Sequence, residues 1–156
     1  MGRASMKTIL SIFIFVLVAF GSFAQDSTVV YDSLYAQKVG ADDYGMRSYV
    51  MALLKSGPNR DQTPEEAEKL QAAHMANIGR LADEGVLVLA GPFLDDGDLR
   101  GIYIFAVESV EEARTLTATD PAIQEGRLIM ELHPWYGSAA VMEIGEIHEK
   151  ISKIKL

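Results

Sequence analysis

The chain has 156 residues, no cysteine, and more acidic than basic side chains, with a net charge of −8 at pH 7. This length suits one domain with a short additional segment. The negative charge repels nucleic acids and anionic membranes, so we expect neither as a partner. Without cysteine the fold uses no disulfide, and an oxidising compartment is tolerated but not required.

The N-terminus has the three parts of a secretory signal peptide. Arg3 and Lys7 precede an apolar run at residues 9–20, and small residues follow up to Ala24. The run is shorter than the roughly 20 residues that cross a bilayer. We therefore predict a signal peptide at residues 1–24, cut near Ala24, and a periplasmic or secreted mature protein outside the membrane. An uncleaved membrane anchor is the alternative.

A polar segment without a clear period follows at residues 25–43, and we interpret it as a mobile linker. The folded domain is expected at residues 44–138. Its first strand is predicted at residues 46–55, and the turn-forming residues 56–59 end it.

A long helix is predicted next. Thr63 stands before Pro64 and Glu66, an arrangement that predicts a capping box with proline at the first helical position. An apolar stripe at spacings of three and four marks one face of this helix: Ala67, Leu70, Ile78 and Leu81. Gly85 ends the helix.

Two strands and a second helix follow. Residues 86–92 and 101–107 are predicted to be strands joined by a turn-rich stretch. The second helix begins at Ser109, which is expected to form another capping box with Glu112, and it runs to about Thr119.

The last strand and the order of the elements indicate the fold class. The Asp-Pro pair at residues 120–121 stops the second helix, and residues 127–134 are predicted to form the last strand. The order strand, helix, strand, strand, helix, strand is that of a ferredoxin-like βαββαβ fold of the α+β class. Such a fold has an antiparallel sheet with two helices on one face.

Both faces of the predicted sheet are apolar. In residues 86–90 and 101–107, apolar side chains point in both directions. Two helices cover only one face, and an antiparallel sheet normally shows water a polar second face. The simplest cover is the same face of a second copy, so we predict a homodimer.

The C-terminal tail at residues 139–156 carries isoleucines at helical spacing. They are Ile144, Ile147, Ile151 and Ile154. A helix this short is marginal alone, so the tail either docks on the dimer or frays, and both alternatives stay open.

A histidine interrupts the apolar stripe of the long helix. His74 lies four residues from both Leu70 and Ile78. A neutral imidazole can be buried when both nitrogens have partners, and position alone favours that structural role. The alternative is a general base in a dry pocket between helix and sheet, since histidine ordinarily titrates at about pH 6.5.

Asp120 is the natural partner of His74. Its simplest role is turn formation before Pro121. In a ferredoxin-like fold, however, both helices lie on the same face, so a carboxylate at the end of one can approach the middle of the other. A carboxylate on one imidazole nitrogen fixes the tautomer and stabilises the imidazolium.

Three segments of the chain resemble the YCII-related family, whose members are small proteins with the dimeric α+β barrel fold. The segments are "HMANIGRLADEGVLVLAGP", "ESVEEARTLTATDPAIQEG" and "MELHPW", between about Tyr49 and Trp135. The family pattern combines a helix histidine, a Gly-Pro pair, an Asp-Pro pair and a strand that ends in Pro-Trp or similar. These features fall on His74, Gly91-Pro92, Asp120-Pro121 and Pro134-Trp135.

The resemblance implies that His74 and Asp120 form an active-site dyad, but it implies no particular reaction. Related barrels are isomerases, dehalogenating lyases and cofactor-free monooxygenases. The chain differs from the family pattern in its export signal, its linker and its isoleucine-rich tail.

The expected function is cofactor-free proton transfer, of the isomerase or lyase type, on a small organic molecule. His74 is the expected base or acid, and Asp120 orients it. Gly91 and Pro92 let the substrate approach the backbone. Three further residues are candidates for the pocket wall or for core packing: Tyr49, Met51 and Trp135. The alternative function is a non-catalytic small-ligand-binding or structural dimer with a buried His-Asp pair.

No metal or cofactor is expected. Asp95, Asp96 and Asp98 lack the spacing and the final glutamate of a calcium loop, so they predict a hairpin turn. His74, His133 and His148 show no pairing at a spacing of four. The phosphate-binding and dinucleotide-binding glycine motifs are absent from the sequence.

Overall fold

A computed structural model of the chain describes residues 30–154, and the predicted signal peptide at residues 1–24 lies outside this range. In chain order the elements are α1 (Ser33–Val39), β1 (Met46–Ser56), α2 (Pro64–Asp83), β2 (Leu87–Pro92), β3 (Leu99–Phe105), α3 (Val110–Thr117), α4 (Pro121–Gln124), β4 (Leu128–Ser138), a 3₁₀ helix (Ala139–Glu143) and α5 (Ile144–Ile151). Across residues 30–154, no helix is both long and apolar enough to cross a bilayer.

The four strands form one sheet in the order β2-β3-β1-β4, and each neighbouring pair is antiparallel. Apolar side chains of β1 and β3 pack against α2 and α3 in a single core. This core includes Val50, Leu54, Leu81, Phe105 and Ala113. The predicted ferredoxin-like α+β fold, with two helices on one face of an antiparallel sheet, is confirmed.

The start of α2 shows how local sequence determines an element boundary. The Thr63 hydroxyl accepts a hydrogen bond from the Glu66 backbone N–H, and the Glu66 carboxylate accepts one from the Thr63 N–H at 2.8 Å. Pro64 takes the first helical position, where its missing N–H has no partner to lose. The predicted capping box is confirmed.

The strand β4 is longer than predicted. It continues past Pro134 to Ser138, with Pro134 opposite Val50 of β1. Proline lacks an N–H donor, but β4 is an edge strand and has a neighbour on one side only. The predicted end at residue 134 is therefore wrong, because an edge strand tolerates proline.

The segment predicted to be a mobile linker contains the helix α1. Asp32 caps its first turn by accepting hydrogen bonds from two backbone N–H groups, and Val39 at its end is buried. Lys38 forms ion pairs with Glu143 and Glu146 at 3.0 and 3.6 Å. The linker prediction is wrong for these residues, because the cap and the contact with the C-terminal segment hold them in a helix.

The C-terminal tail forms a helix, as its isoleucine spacing predicted. The helix α5 and the preceding 3₁₀ helix both contact β2. The tail thus docks on the sheet of its own chain. Ile147 and Ile151 are nevertheless exposed, so the stripe is only partly used in the single chain.

The face of the sheet opposite α2 and α3 is only partly covered. Met51, Leu53 and Ile102 lie half-buried on it, whereas Ile104 is buried. At the β4 edge, charged side chains replace apolar ones: Lys55 forms an ion pair with Glu131. An apolar strip therefore remains between the two edges of this second face.

Candidate active site

The candidate site is centred on a contact between two buried polar side chains. His74 lies in the middle of α2, and its Nδ1 atom is 2.7 Å from Oδ2 of Asp120. The Asp120 side chain is completely buried, and that of His74 is 9% exposed. Two residues that are 46 positions apart thus meet between the helix layer and the sheet.

Asp120 is held in place by the start of α4. Its Oδ1 atom accepts a hydrogen bond from the backbone N–H of Ala122 at 2.9 Å, so the residue caps α4 rather than only ending α3. With Oδ1 accepting from the backbone, Oδ2 is the acceptor for the Nδ1–H group of His74. This network assigns the imidazole proton to Nδ1 and the lone pair to Nε2.

Tyr103 is the third member of the network. Its hydroxyl oxygen lies 3.3 Å from Nε2 of His74. Burial raises the pKa of Tyr103, and the nearby charge of Asp120 raises it further. The phenol therefore keeps its proton at ordinary pH, and it donates a long hydrogen bond to the Nε2 lone pair.

Sequence reasoning did not identify Tyr103, although one signal was present. Alternation along β3 places Tyr103 on the same face as Phe105, which is the face covered by the helices. A tyrosine hydroxyl buried on that face needs a hydrogen-bond partner. His74, which the sequence had already singled out on the facing helix, was an available acceptor for this hydroxyl.

A cavity of about 360 Å³ adjoins this network. Both His74 and Tyr103 line it, as do Gly91 and Pro92. Its apolar wall is formed by Leu54, Met75, Ile78 and Leu128. The volume is at the lower end of the range for small-molecule sites.

Tyr49, Met51 and Trp135 are not among the residues that line this cavity. The rings of Tyr49 and Trp135 pack together with 5.4 Å between their centroids, and the Tyr49 hydroxyl donates to the Ser138 carbonyl. Strand alternation favours packing, the other role expected for them: Val50 points to the helices, so Tyr49 and Met51 point to the opposite face. Their assignment to the pocket wall is corrected.

Three arginines that sequence reasoning did not single out also line the cavity: Arg60, Arg100 and Arg127. They come from the loop after β1, the start of β3 and the residue before β4. Gly57 brings two of these segments together, since a Cβ atom there would lie 2.1 Å from the Gly126 carbonyl oxygen. No local pattern could have grouped side chains from three distant segments.

The arrangement can hold and move a proton. The Asp120 carboxylate at Nδ1 can stabilise an imidazolium, Nε2 of His74 is the nitrogen next to the Tyr103 hydroxyl, and both His74 and Tyr103 line the cavity. Within the described part of the chain, no group of three or more His, Cys, Asp or Glu side chains could hold a metal ion. The second histidine, His133, pairs with exposed Glu131 on the other face of the sheet.

The chain is similar to a known domain family and to a protein of known structure. The family model of the YCII-related domain matches residues 49–136 of this chain. A solved structure of 5-chloro-2-hydroxyhydroquinone dehydrochlorinase from Burkholderia phenoliruptrix AC1100, in complex with 2,5-dihydroxybenzoquinone, is similar at 22% identity and a TM-score of 0.42. The match covers 57% of this chain and 93% of that chain. No curated protein matches the sequence. Since the domain model spans more than half of the residues, the chain belongs to the YCII-related domain family.

Proposed function

We propose that the protein is an enzyme that moves a proton on a small organic molecule, without a cofactor, in a reaction of the isomerase or lyase type. One observation carries the proposal. The imidazole of His74 is bound to a buried carboxylate through Nδ1 and lines a cavity of about 360 Å³. This is the arrangement of a general base with an orienting carboxylate.

In the proposed step, Nε2 of His74 takes a proton from a carbon next to a substrate carbonyl. The electron pair of the broken C–H bond moves toward the carbonyl oxygen, and Asp120 stabilises the resulting imidazolium. Return of the proton to another carbon completes an isomerisation. If the carbon on the other side of the deprotonated carbon carries a leaving group, this group departs with its bonding electrons as a C=C bond forms, which completes an elimination instead. Tyr103, which also lines the cavity, can donate its hydroxyl proton in a hydrogen bond to the oxygen that gains charge.

The alternative of a purely structural His-Asp pair has less support. A structural imidazole needs partners on both nitrogens and a sealed core around it. The Nε2 contact of His74 is long at 3.3 Å, and the residue borders a cavity that extends to Gly91 and Pro92. A long contact next to a cavity suits an atom that exchanges partners when a substrate enters.

Proton transfer can be tested before the natural substrate is known. Small carbonyl compounds with acidic C–H bonds are incubated with the protein in D₂O, and deuterium incorporation is followed by NMR. We expect exchange with the wild type and a loss of about 10²-fold or more with His74→Gln, which keeps an N–H donor for Asp120 but has no basic nitrogen. His133→Gln is the matched control and should keep the exchange. Equal exchange in both variants would contradict the proposed role of His74.

We also propose that the protein acts as a homodimer. The half-buried Met51, Leu53 and Ile102 on the second sheet face support this proposal, since apolar strips of this kind are usually covered by another surface. Sedimentation at micromolar concentration should give twice the monomer mass. A folded monomer at that concentration would contradict the dimer.

The third part of the proposal is export to the periplasm or the medium. The basic start, the apolar run at residues 9–20 and the small residues before Gln25 support it. Mass spectrometry of the native protein should find an N-terminus at or next to Gln25. An intact chain in the membrane fraction would show an anchor instead.

A further inference from the structure

The cavity beside His74 has a charge opposite to that of the whole protein. The chain carries a net charge of −8, yet three arginines and no acidic residue line the cavity. Asp120 lies behind His74 and is not part of the lining. The basic side chains Arg60, Arg100 and Arg127 are thus concentrated where the chemistry is proposed to take place.

Each of these arginines is held by a neutral acceptor through its Nη1 atom. Arg60 donates to the Arg127 carbonyl at 3.1 Å, and Arg100 donates to the Gly97 carbonyl at 3.1 Å. Arg127 donates to the Gln62 side-chain oxygen at 2.8 Å. These contacts position the side chains without neutralising their charge.

Among residues 30–154, none of the three arginines forms an ion pair with a carboxylate. Arg80 on α2, by contrast, pairs with Glu84 at 2.8 Å. Arg100 and Arg127 are also half-buried, so water screens their charge less than that of an exposed side chain. The cavity therefore has three positioned cations without a counter-ion on the described chain.

We propose that this cavity binds a small organic carboxylate, which Arg60, Arg100 and Arg127 hold by its carboxylate group. The planar guanidinium fork matches two carboxylate oxygens better than a lysine ammonium does. The apolar body of the ligand packs against Met75, Ile78 and Leu54 and reaches toward Nε2 of His74. The inference deepens the proposed function, on which it rests for the reaction, by naming the substrate class.

The same cations also suit the proposed chemistry. Removal of a proton from a carbon next to a carbonyl places negative charge on the substrate. Positioned guanidinium groups stabilise that charge without rearrangement. A carboxylate held by arginines also fixes which carbon faces the imidazole.

Calorimetric titration with simple probes tests the inference. The probes are benzoate and phenylacetate, each compared with its neutral amide. We expect the wild type to bind the carboxylates and not the amides, more weakly as salt is added. Arg100→Gln and Arg127→Gln should each raise Kd by about tenfold or more, the effect of losing one charge-assisted hydrogen bond. Arg114→Gln, which removes the same charge on α3 outside the cavity, should leave Kd unchanged.

Three results would overturn the inference: no binding of either carboxylate to the wild type, equal binding of acid and amide, or equal Kd values in the wild type and both cavity variants. Arg127→Lys is included because Arg127→Gln also loses the contact with Gln62. It should fold and bind more weakly than the wild type, since it keeps the charge but loses the fork.

The test separates this inference from the proposed function. His74→Gln keeps all three arginines, so it should bind benzoate while deuterium exchange is lost. Binding that persists without any exchange in the wild type would remove the proton-transfer proposal and keep the carboxylate site. Deuterium exchange without carboxylate binding would remove the carboxylate site and keep the proton-transfer proposal.

Discussion

A histidine paired with a carboxylate lies on each side of the sheet, and the two pairs have similar distances but different surroundings. His74 and Asp120 are 2.7 Å apart, and His133 and Glu131 are 2.9 Å apart. The first pair is almost fully buried, whereas about half of each side chain in the second pair is exposed. The first borders a cavity, and the second faces solvent.

The surroundings of each pair decide what it can do. On the exposed face, Lys55 is the main cause of the lowered pKa of Glu131, and His133 contributes less. Water and salt screen such contacts, so they hold neither side chain in one geometry. On the helix face, within residues 30–154, the Asp120 carboxylate accepts hydrogen bonds only from the Ala122 N–H and from His74, which fixes the imidazole orientation. A short His–carboxylate distance therefore indicates a site only together with burial and access to a cavity.

Among the substitutions that distinguish the two pairs, Asp120→Asn is expected to have the largest effect on exchange activity. The amide oxygen can still accept from the Ala122 N–H, but the amide N–H group now faces Nδ1 of His74. The imidazole proton moves to Nε2, which can no longer act as a base. Exchange activity should fall on the order of 10³–10⁴-fold, as in triads with the wrong tautomer.

The measurement for Asp120→Asn is the rate of deuterium incorporation, with folding checked by circular dichroism. Glu131→Gln removes the same charge from the exposed pair and should keep the wild-type rate. Full activity in Asp120→Asn would show that the buried carboxylate does not set the tautomer.

His74→Leu should be strongly destabilising, although leucine restores the apolar stripe of α2. The change leaves the completely buried Asp120 carboxylate without its side-chain partner. Removing one partner from a buried charged pair costs about 3–5 kcal/mol, which is more than burial of one leucine restores. Urea unfolding measures the difference, and His133→Leu, on the exposed face, should change stability far less. A stability gain in His74→Leu would show that an unpaired Asp120 carboxylate costs less than burial of the leucine restores, and loss of exchange in this variant then decides between a functional and a structural imidazole.

Tyr103→Phe tests the weaker contact of the buried network. Loss of the long hydrogen bond to Nε2 should lower the free energy of unfolding by about 1 kcal/mol, and loss of the proposed donor to the substrate oxygen should reduce exchange by about 10²-fold. Tyr49→Phe is the control on the opposite face. It loses a 3.0 Å bond to the Ser138 carbonyl and should lower stability similarly without affecting exchange. Equal exchange in both variants would remove Tyr103 from the site.

The smallest effect is expected from the exposed pair. The Lys55 ammonium, and to a lesser degree His133, lowers the pKa of Glu131 below its ordinary value of 4.5. A lowered carboxyl pKa stabilises the fold above the ordinary value, and this stabilisation is lost as pH falls through the lowered one. The stability difference between wild type and Glu131→Gln should thus be slight at neutral pH and vanish in acid. A difference that grows as pH falls would have the wrong sign for this pair.

Much of the fold could be predicted from the sequence, because the signals are local. The Thr63–Glu66 capping box involves residues three positions apart, and the strand and helix periods are visible within a single element. The order of the elements then indicated the ferredoxin-like fold. The errors occurred where context overrides a local signal: Pro134 lies in an edge strand, and α1 lies in a polar segment.

The candidate site was only partly visible in the sequence. His74 was conspicuous because it interrupts an apolar stripe, and Asp120 because it precedes a proline and fits the family pattern. Tyr103 and the three cavity arginines do not interrupt the periodicity of the segments that contain them, so the sequence did not single them out. For Tyr49, Met51 and Trp135 the sequence left a pocket wall and core packing as alternatives, since apolar side chains on a two-faced sheet do not reveal which face the helices cover.

The sequence by itself determined the type, order and caps of most elements and the two polar residues that do not fit them. These properties depend on side chains within about four positions of one another. Only the tertiary structure decided which groups meet: the 2.7 Å contact of His74 with Asp120, the hydroxyl of Tyr103 at Nε2, and the arginines around one cavity. Contacts between distant residues depend on strand register and on close approaches such as that of Gly57 to Gly126, and no single segment of the chain contains that information.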